Sequence, residues 1–257
     1  MERRNAAAVC LFLLLLVAGA APLACADDTL EHALGAVDRL RKGWATSLED
    51  VERLGEQMLK DYSAAEDQGR IHYQLAHTHA QTGITIKAKA DRVIEHAQKG
   101  LACPLDPVRR LRLYSYWASA LKVGDRSKPL PERRKPAAIV LLKGLKEAQQ
   151  YKIPEQQPEF RGEPPLLIGS PPSEPSPWYE ARRKEAARRR AIQEQWHLEW
   201  WLWHGHKVLT DQLVDYYRQL PHAASELREL ATSILRDQKT VDLLMSRLKD
   251  LGALEDE

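Results

Sequence analysis

The stretch YQLAHTHAQTG at residues 73–83 aligns without a gap with YSYWASALKVG at residues 114–124. Both begin with tyrosine and end with glycine. Through this part of the chain, apolar residues recur at spacings of three and four, and runs of β-branched residues are scarce. This is the period of an α-helix with one apolar face and not the alternation of a strand. The sequence therefore predicts an all-α fold that contains repeated helical units.

Three glycines interrupt the N-terminal half at nearly equal intervals. Gly43, Gly83 and Gly124 are spaced 40 and 41 residues apart, and a further helical pattern follows each of them. Glycine often ends a helix because it lacks a Cβ and can adopt the left-handed conformation. The spacing predicts three units of two helices each, with a glycine at every turn.

The middle unit resembles the tetratricopeptide repeat, whose pattern places small and apolar residues in two antiparallel helices and a glycine at the turn. Six residues carry the resemblance: Leu75, Ala76, Gly83, Ala90, Ile94 and Ala97. The units depart from the family in their length of about 40 residues and in Trp117, which occupies a position where a small residue is usual. For residues 27–151 the resemblance implies a short right-handed solenoid of antiparallel helical hairpins.

The resemblance also implies where a partner would bind. In that family the first helix of each unit lines the concave face, on which partners dock. Carried over to this sequence, the face consists of Tyr73, His77 and Gln81 from the middle unit, with Tyr114 and Lys122 from the third. The alternative is that both tyrosines pack between neighbouring helices.

Residues 1–26 have the pattern of an export signal. Two arginines precede an apolar run at residues 6–21, and small residues end the segment at Ala26. The run is too short for a comfortable membrane span. We expect cleavage after Ala26 and a periplasmic or extracellular protein. An alternative is lipidation at Cys25, which would tether the protein to a membrane. Asn5 is the only asparagine, so the mature chain would lack a glycosylation sequon, which favours a bacterial envelope.

Removal of the signal simplifies the composition. Cys103 would be the only remaining cysteine, so no intrachain disulfide could form. It is read either as a small buried residue or as a reactive thiol. The formal net charge of the whole chain is +2, and that of the mature chain would be +1. This near-neutral balance predicts no nucleic-acid partner.

A proline-rich segment separates the repeats from the C-terminal part. Residues 152–177 contain eight of the fifteen prolines, so neither a helix nor a strand can persist there. The segment is either a loose linker or a strap on the repeats, in which case its apolar residues would anchor it. Those residues are Phe160, Leu166, Leu167 and Ile168.

Residues 178–257 predict a C-terminal helical module. Its first part, Trp178 to Leu220, reads as one long helix or as two helices with Gly205 as the weak point. Pro221 ends this part, and two shorter helices follow at 223–236 and 240–251.

Five of the seven tryptophans lie within residues 178–203. Trp196, Trp200 and Trp203 share one helical face, which covers other helices in the first interpretation. In the second, these tryptophans combine with basic residues such as Arg182 and Arg189 to bind a membrane surface. In the third, the same side chains contact a partner protein, since tryptophan and arginine are enriched at interface hot spots.

The sequence offers no catalytic, cofactor or metal motif. It contains no G-x-S-x-G, no H-E-x-x-H and no Gly-rich phosphate loop. Within one helix, metal ligands usually lie three or four residues apart, which argues against a metal site at either histidine group. The two groups are His72, His77 and His79, and His197, His204 and His206.

Together these observations predict an exported helical-repeat protein that binds another protein or a peptide as a scaffold in the cell envelope, without catalysis. The alternatives are peripheral membrane binding through residues 178–203, or an envelope enzyme with an unrecognised active site.

Overall fold

The computed structural model describes residues 30–35, 37, 48–81, 87–124, 129–160, 162–163, 166, 176–217 and 223–250. All regular secondary structure in these ranges is helical, which confirms the all-α class. Residues 30–35 form a short helical segment, and eight helices follow: α1 (Leu48–Asp61), α2 (Ala65–Gln81), α3 (Lys87–Ala102), α4 (Pro107–Gly124), α5 (Leu130–Ala148), α6 (Pro177–Tyr217), α7 (Ala223–Leu235) and α8 (Gln238–Asp250). The predicted export signal, Gly43 and Gly83 lie outside the described residues.

Helix α4 lies at the centre of the helix packing. It contacts α2, α3, α5 and α6. On one side of it, α2 also packs against α1 and α3, while on the other side α5 packs against α6 and α7. The last helix, α8, packs against α7.

Buried apolar side chains hold these helices together. The largest cluster combines residues of α4 to α8, including Leu111, Leu141 and Leu213, none of which is exposed to solvent. A second cluster joins the 30–35 segment to α1 and α2, and a third joins α2, α3 and α4. Each fully buried leucine contributes about 1.5–3 kcal/mol. Cys103 is a free, half-buried cysteine, so it forms no disulfide bond between these helices.

Three glycines allow the neighbouring helices to approach α4 closely. Gly100 of α3 faces Leu113, Gly144 of α5 faces Tyr114, and Gly205 of α6 faces Leu111. A Cβ added at these glycines would lie 2.9, 2.9 and 3.3 Å from the facing side chains. Because Gly100, Gly144 and Gly205 have no side chain, α3, α5 and α6 can lie this close to α4.

Helix α6 is a single helix of 41 residues, about 60 Å long at 1.5 Å per residue. It continues without a break through Gly205, the position at which the sequence allowed either one helix or two. From Leu202 onward one of its faces is buried against other helices, whereas Ala186 is the one buried residue among residues 177–200. We call residues 177–200 the arm.

The described part of the proline-rich segment lies along the arm. The Trp196 indole Nε1 donates a hydrogen bond to the Pro158 carbonyl oxygen at 3.1 Å. The Phe160 ring meets the Trp196 ring edge to face, with centroids 5.1 Å apart. Two of the expected anchors, Leu167 and Ile168, lie outside the described residues.

The substitution Gly144→Val tests the close approach of α5 to α4. The added atoms would overlap Tyr114 and also Leu209 Cδ1, which lies 3.0 Å from a Cβ at this position. Because both neighbours are packed, we expect the free energy of unfolding, measured by urea denaturation, to fall by about 1–3 kcal/mol. The matched control is Lys143→Val, at an exposed position of the same helix, which we expect to change stability by about 0.5 kcal/mol or less. Equal stability of the two variants would contradict the packing argument.

Candidate functional site

Tyr73 of α2 lies beside two arginines of α4. Arg112 Nη1 donates a hydrogen bond to the Tyr73 hydroxyl at 3.0 Å. The Arg109 guanidinium carbon lies 5.7 Å from the centre of the Tyr73 ring, within the range of a cation–π interaction. Tyr73 is 8% exposed, so α2 and α4 hold it in a fixed position.

The same arrangement continues onto α6. The Arg112 guanidinium stacks over the Trp201 ring at 4.0 Å, Trp201 meets Trp200 edge to face at 4.6 Å, and Trp200 stacks on His204 at 4.9 Å. Burial, followed by the Arg112 charge, lowers the pKa of His204, which favours a neutral, stacking imidazole at pH 7. We call these five residues, Tyr73, Arg112, Trp201, Trp200 and His204, the arginine–aromatic row.

A shallow cavity of about 230 Å³ opens next to the row. Tyr73, Gln74, Arg70 and Arg109 line it, together with residues of the 31–35 segment. Arg70 is paired with Glu31. The cavity therefore offers guanidinium, hydroxyl and amide groups beside an aromatic ring.

The structure brings one further predicted residue, His77, close to Tyr73. The His77 ring stacks on Tyr73 with centroids 5.9 Å apart, and its Nδ1 lies 2.7 Å from the Tyr116 hydroxyl. Gln81 is exposed at the end of α2. Of the predicted face, Tyr73 and His77 form one cluster on α2 and α4.

Tyr114 and Lys122, predicted for the same face, have different surroundings. The Tyr114 hydroxyl donates a hydrogen bond to Glu147 Oε2 of α5 at 2.9 Å. Lys122 Nζ pairs with Asp215 Oδ2 of α6 at 2.5 Å. Tyr114 is two residues beyond Arg112, about 200° around the helix, so the two side chains leave α4 on nearly opposite sides.

The three tryptophans predicted to share a face have three different environments. Trp196 contacts the proline-rich segment, Trp200 belongs to the arginine–aromatic row, and Trp203 is half-buried. The two arginines predicted with them lie on the arm. Arg182 lies 5.1 Å from the Trp178 ring centre, and Arg189 pairs with Glu185 at 2.8 Å.

A second cluster, inside the N-terminal half, joins three helices. Glu52 of α1, His79 of α2 and His96 of α3 each direct a potential ligand atom to one point, with all these atoms within 4.8 Å of one another. The Glu52 carboxylate contacts His79 Nε2, and both of its oxygens lie 3.3 Å from His96 Nε2. Behind His96, the Nδ1 atoms of His72 and His96 are 3.1 Å apart. We call these four residues the Glu–His cluster.

The cluster is buried and electrostatically coupled. Burial alone would raise the pKa of Glu52, but the contacts with His79 and His96 lower it well below its usual range. Burial, with the charge of His96, lowers the pKa of His72 to about 4. Glu52 is therefore a carboxylate at neutral pH, and His72 is an uncharged imidazole.

Glu52 and His96 lie on helices other than α2, so the spacing of ligands along one helix does not reveal them. His72 and His79 are seven residues apart, close to two helical turns, so both reach the same side of α2. His77 points elsewhere, to Tyr116. The seven-residue spacing of His72 and His79 was the signal available in the sequence. The other two members of the cluster, Glu52 and His96, lie on α1 and α3.

A third polar group connects α4 and α5. The Glu147 carboxylate accepts hydrogen bonds from Tyr114, from the Tyr151 hydroxyl at 2.7 Å and from Arg110 Nη2 at 3.1 Å. Burial raises the pKa of Glu147, but the bonds from Arg110, Tyr151 and Tyr114 outweigh burial and lower it. Burial, followed by the hydrogen bond to Glu147, raises the pKa of Tyr151 to about 12.

Comparison of the chain with models of protein families, with curated proteins and with solved structures finds no match. In the part of the chain that the structure describes, no helix is both long and apolar enough to cross a membrane.

The Glu147 contacts predict a pH dependence of stability. The unfolded pKa of a glutamate is about 4.3 and the folded value is lower, so the stabilisation is present in full above that pH and is lost as pH falls through the folded pKa. We expect Glu147→Gln to lower the free energy of unfolding by about 1–3 kcal/mol at neutral pH. By urea denaturation, the difference from wild type should shrink at about pH 3.

The exposed residue Glu56 provides the matched control. Its substitution, Glu56→Gln, should not produce this pH-dependent difference. A Glu147→Gln effect of equal size at both pH values would show that the carboxylate charge is not what stabilises the α4–α5 contact.

Proposed function

We propose that the chain is an exported helical-repeat scaffold that binds another protein or a peptide on the face formed by α2, α4 and α6. The pattern of residues 1–26 supports export. The helix contacts support the repeat: α2 packs on α4, and α4 packs on α6, while α3 and α5 each contact the helices before and after them in the chain. This order is the one expected of stacked antiparallel hairpins in a short solenoid.

The observation that carries the proposal is the arginine–aromatic row. It crosses three helices that are far apart in sequence, and cation–π and ring contacts hold its members in place. Aromatic and arginine side chains that are fixed in this way bind at low cost in conformational entropy, and they are enriched at interface hot spots. A row built along the face of a repeat protein is suited to an extended peptide.

The chemistry of the row and the cavity indicates the type of peptide. Arg70, Arg109 and Glu31 line the cavity with Tyr73, and because Arg70 pairs with Glu31 and Arg109 with Asp106, the cavity suits a polar group that hydrogen-bonds to charges of both signs. The rings of Trp200 and Trp201 suit an aromatic or aliphatic side chain. We infer a ligand segment that carries a polar group followed by an apolar residue.

Membrane binding through the arm is a second candidate, because one of its tryptophans is strongly exposed. Trp178 is 66% exposed, and Arg183 beside it is also exposed. Against this, Glu180 and Glu185 pair with neighbouring arginines of the arm, which reduces its positive charge. The arm therefore favours a partner of mixed charge over an anionic lipid surface.

A peptide selection tests the proposal. Phage-displayed random peptides are selected on the purified chain, and the Kd of the selected peptides is measured by fluorescence polarisation. We expect Arg112→Met to weaken binding at least about tenfold, equivalent to 1.4 kcal/mol, because it removes the charge that joins Tyr73 to Trp201. The matched control is Arg92→Met, at an exposed position of α3, which should leave the Kd unchanged.

Two results would contradict the proposal. One is a set of selected peptides that bind Arg112→Met as tightly as wild type. The other is cosedimentation of the wild-type chain with anionic vesicles at physiological salt that is lost in Trp178→Ala, which would favour the membrane candidate.

A further inference from the structure

The Glu–His cluster has the donor chemistry of a metal site. Glu52 supplies carboxylate oxygens, and His79 and His96 each direct Nε2 towards them. Imidazole nitrogen together with carboxylate oxygen is a common ligand set for Zn²⁺ in proteins. The three residues come from α1, α2 and α3, so an ion bound here would link three helices.

The distances suit a small tetrahedral ion. Zn²⁺ ligands at about 2.0–2.1 Å lie about 3.3 Å from one another in tetrahedral geometry. His96 Nε2 is 3.3 Å from each Glu52 oxygen, and no two of the three candidate ligand atoms are more than 4.8 Å apart. Because two atoms bonded to one ion at about 2.0–2.1 Å can be at most about 4.2 Å apart, coordination by all three residues requires the two imidazole rings and the Glu52 carboxylate to close around the ion.

His72 gives the cluster the second feature of a metal site. Metal-binding histidines usually use one ring nitrogen for the metal and hydrogen-bond through the other, which fixes the tautomer. The Nδ1 atoms of His96 and His72 are 3.1 Å apart. When His96 donates its Nδ1 hydrogen to His72, the Nε2 lone pair faces Glu52. In that tautomer, the lone pairs of His96 Nε2 and of the Glu52 carboxylate face each other, so a metal ion or a proton must lie between them.

Burial limits what this site could do. His79 and His96 are 2% and 4% exposed, whereas the Glu52 side chain is 15% exposed. The route to the site therefore passes Glu52, and little room is left for a substrate. Three protein ligands leave the fourth position of a tetrahedral ion to water, and the contribution of the ion argued here is that it joins three helices.

We infer that Glu52, His79 and His96 bind one divalent first-row transition metal ion of the zinc class, with His72 orienting His96. The ion joins α1 to the rest of the chain through α2 and α3. This role is independent of peptide binding on the arginine–aromatic row.

Isothermal titration of the purified, chelator-treated chain with ZnCl₂ tests the inference. We expect one ion per chain and a loss of affinity of more than about 100-fold in Glu52→Gln, which keeps the shape of the side chain but removes its charge. In His72→Gln, we expect a loss of about 10- to 100-fold, as for other partners of metal-binding histidines. The matched control is His197→Gln, at an exposed histidine of α6, which should bind zinc as wild type does.

Two measurements on wild type keep the test decisive if a variant fails to fold. The Co²⁺ complex should show the intense visible absorption of tetrahedral coordination, and Zn²⁺ should raise the Tm relative to chelator while Mg²⁺ does not. The inference is overturned if wild type binds no zinc, or if Glu52→Gln binds it equally well. It is also overturned if Co²⁺ gives the weak spectrum of the hydrated ion, because the cluster is then held by a shared proton and not by a metal.

Discussion

The close packing of α4 against four other helices is the constraint on which the rest of the fold depends. Leu111, Leu113 and Tyr114 leave α4 in three directions, and each meets a glycine of a different helix. Because those glycines have no side chain, α3, α5 and α6 all approach α4 closely. Because Cys103 is a free thiol, it forms no disulfide that could support this packing. The position of α4 therefore determines where both halves of the chain can place their side chains.

A largely buried carboxylate lies on each side of α4, and polar side chains of other helices contact each of them. Glu52 lies against histidines, and Glu147 lies against Arg110 and two tyrosine hydroxyls. Leaving either charge buried without partners would cost several kcal/mol, so these contacts tie α1 to α3 and α4 to α5. In the arginine–aromatic row, Tyr73 is 8% exposed and the other four members are half-buried. Buried polar groups thus stabilise the packing, and the row is where we propose that a partner binds.

Much of the fold follows from local patterns in the sequence, and most of the site does not. Helical period predicts the all-α class, and the structure begins and ends α7 and α8 within two residues of the predicted bounds. The alignment of Tyr73 with Tyr114 predicts that both lie on one face. In the structure they do not, because Tyr114 points to α5. The Glu–His cluster was missed because its members come from three helices, and spacing along one helix cannot show which faces meet. Likewise, Trp196, Trp200 and Trp203 share a helical spacing, but their surroundings differ, since Trp196 contacts Pro158 and Phe160 while Trp200 stacks on His204.

Hydroxyl-radical footprinting of the tryptophans, with and without a bound peptide, tests most directly whether partners dock on the arginine–aromatic row. Three tryptophans of one helix serve as reporters, since Trp200 and Trp201 belong to the row and Trp178 lies on the arm, 66% exposed. The proposed site predicts that peptide binding slows oxidation of Trp200 and Trp201 and leaves Trp178 as reactive as in the free chain. Slower oxidation of Trp178 with no change at Trp200 and Trp201 would contradict it.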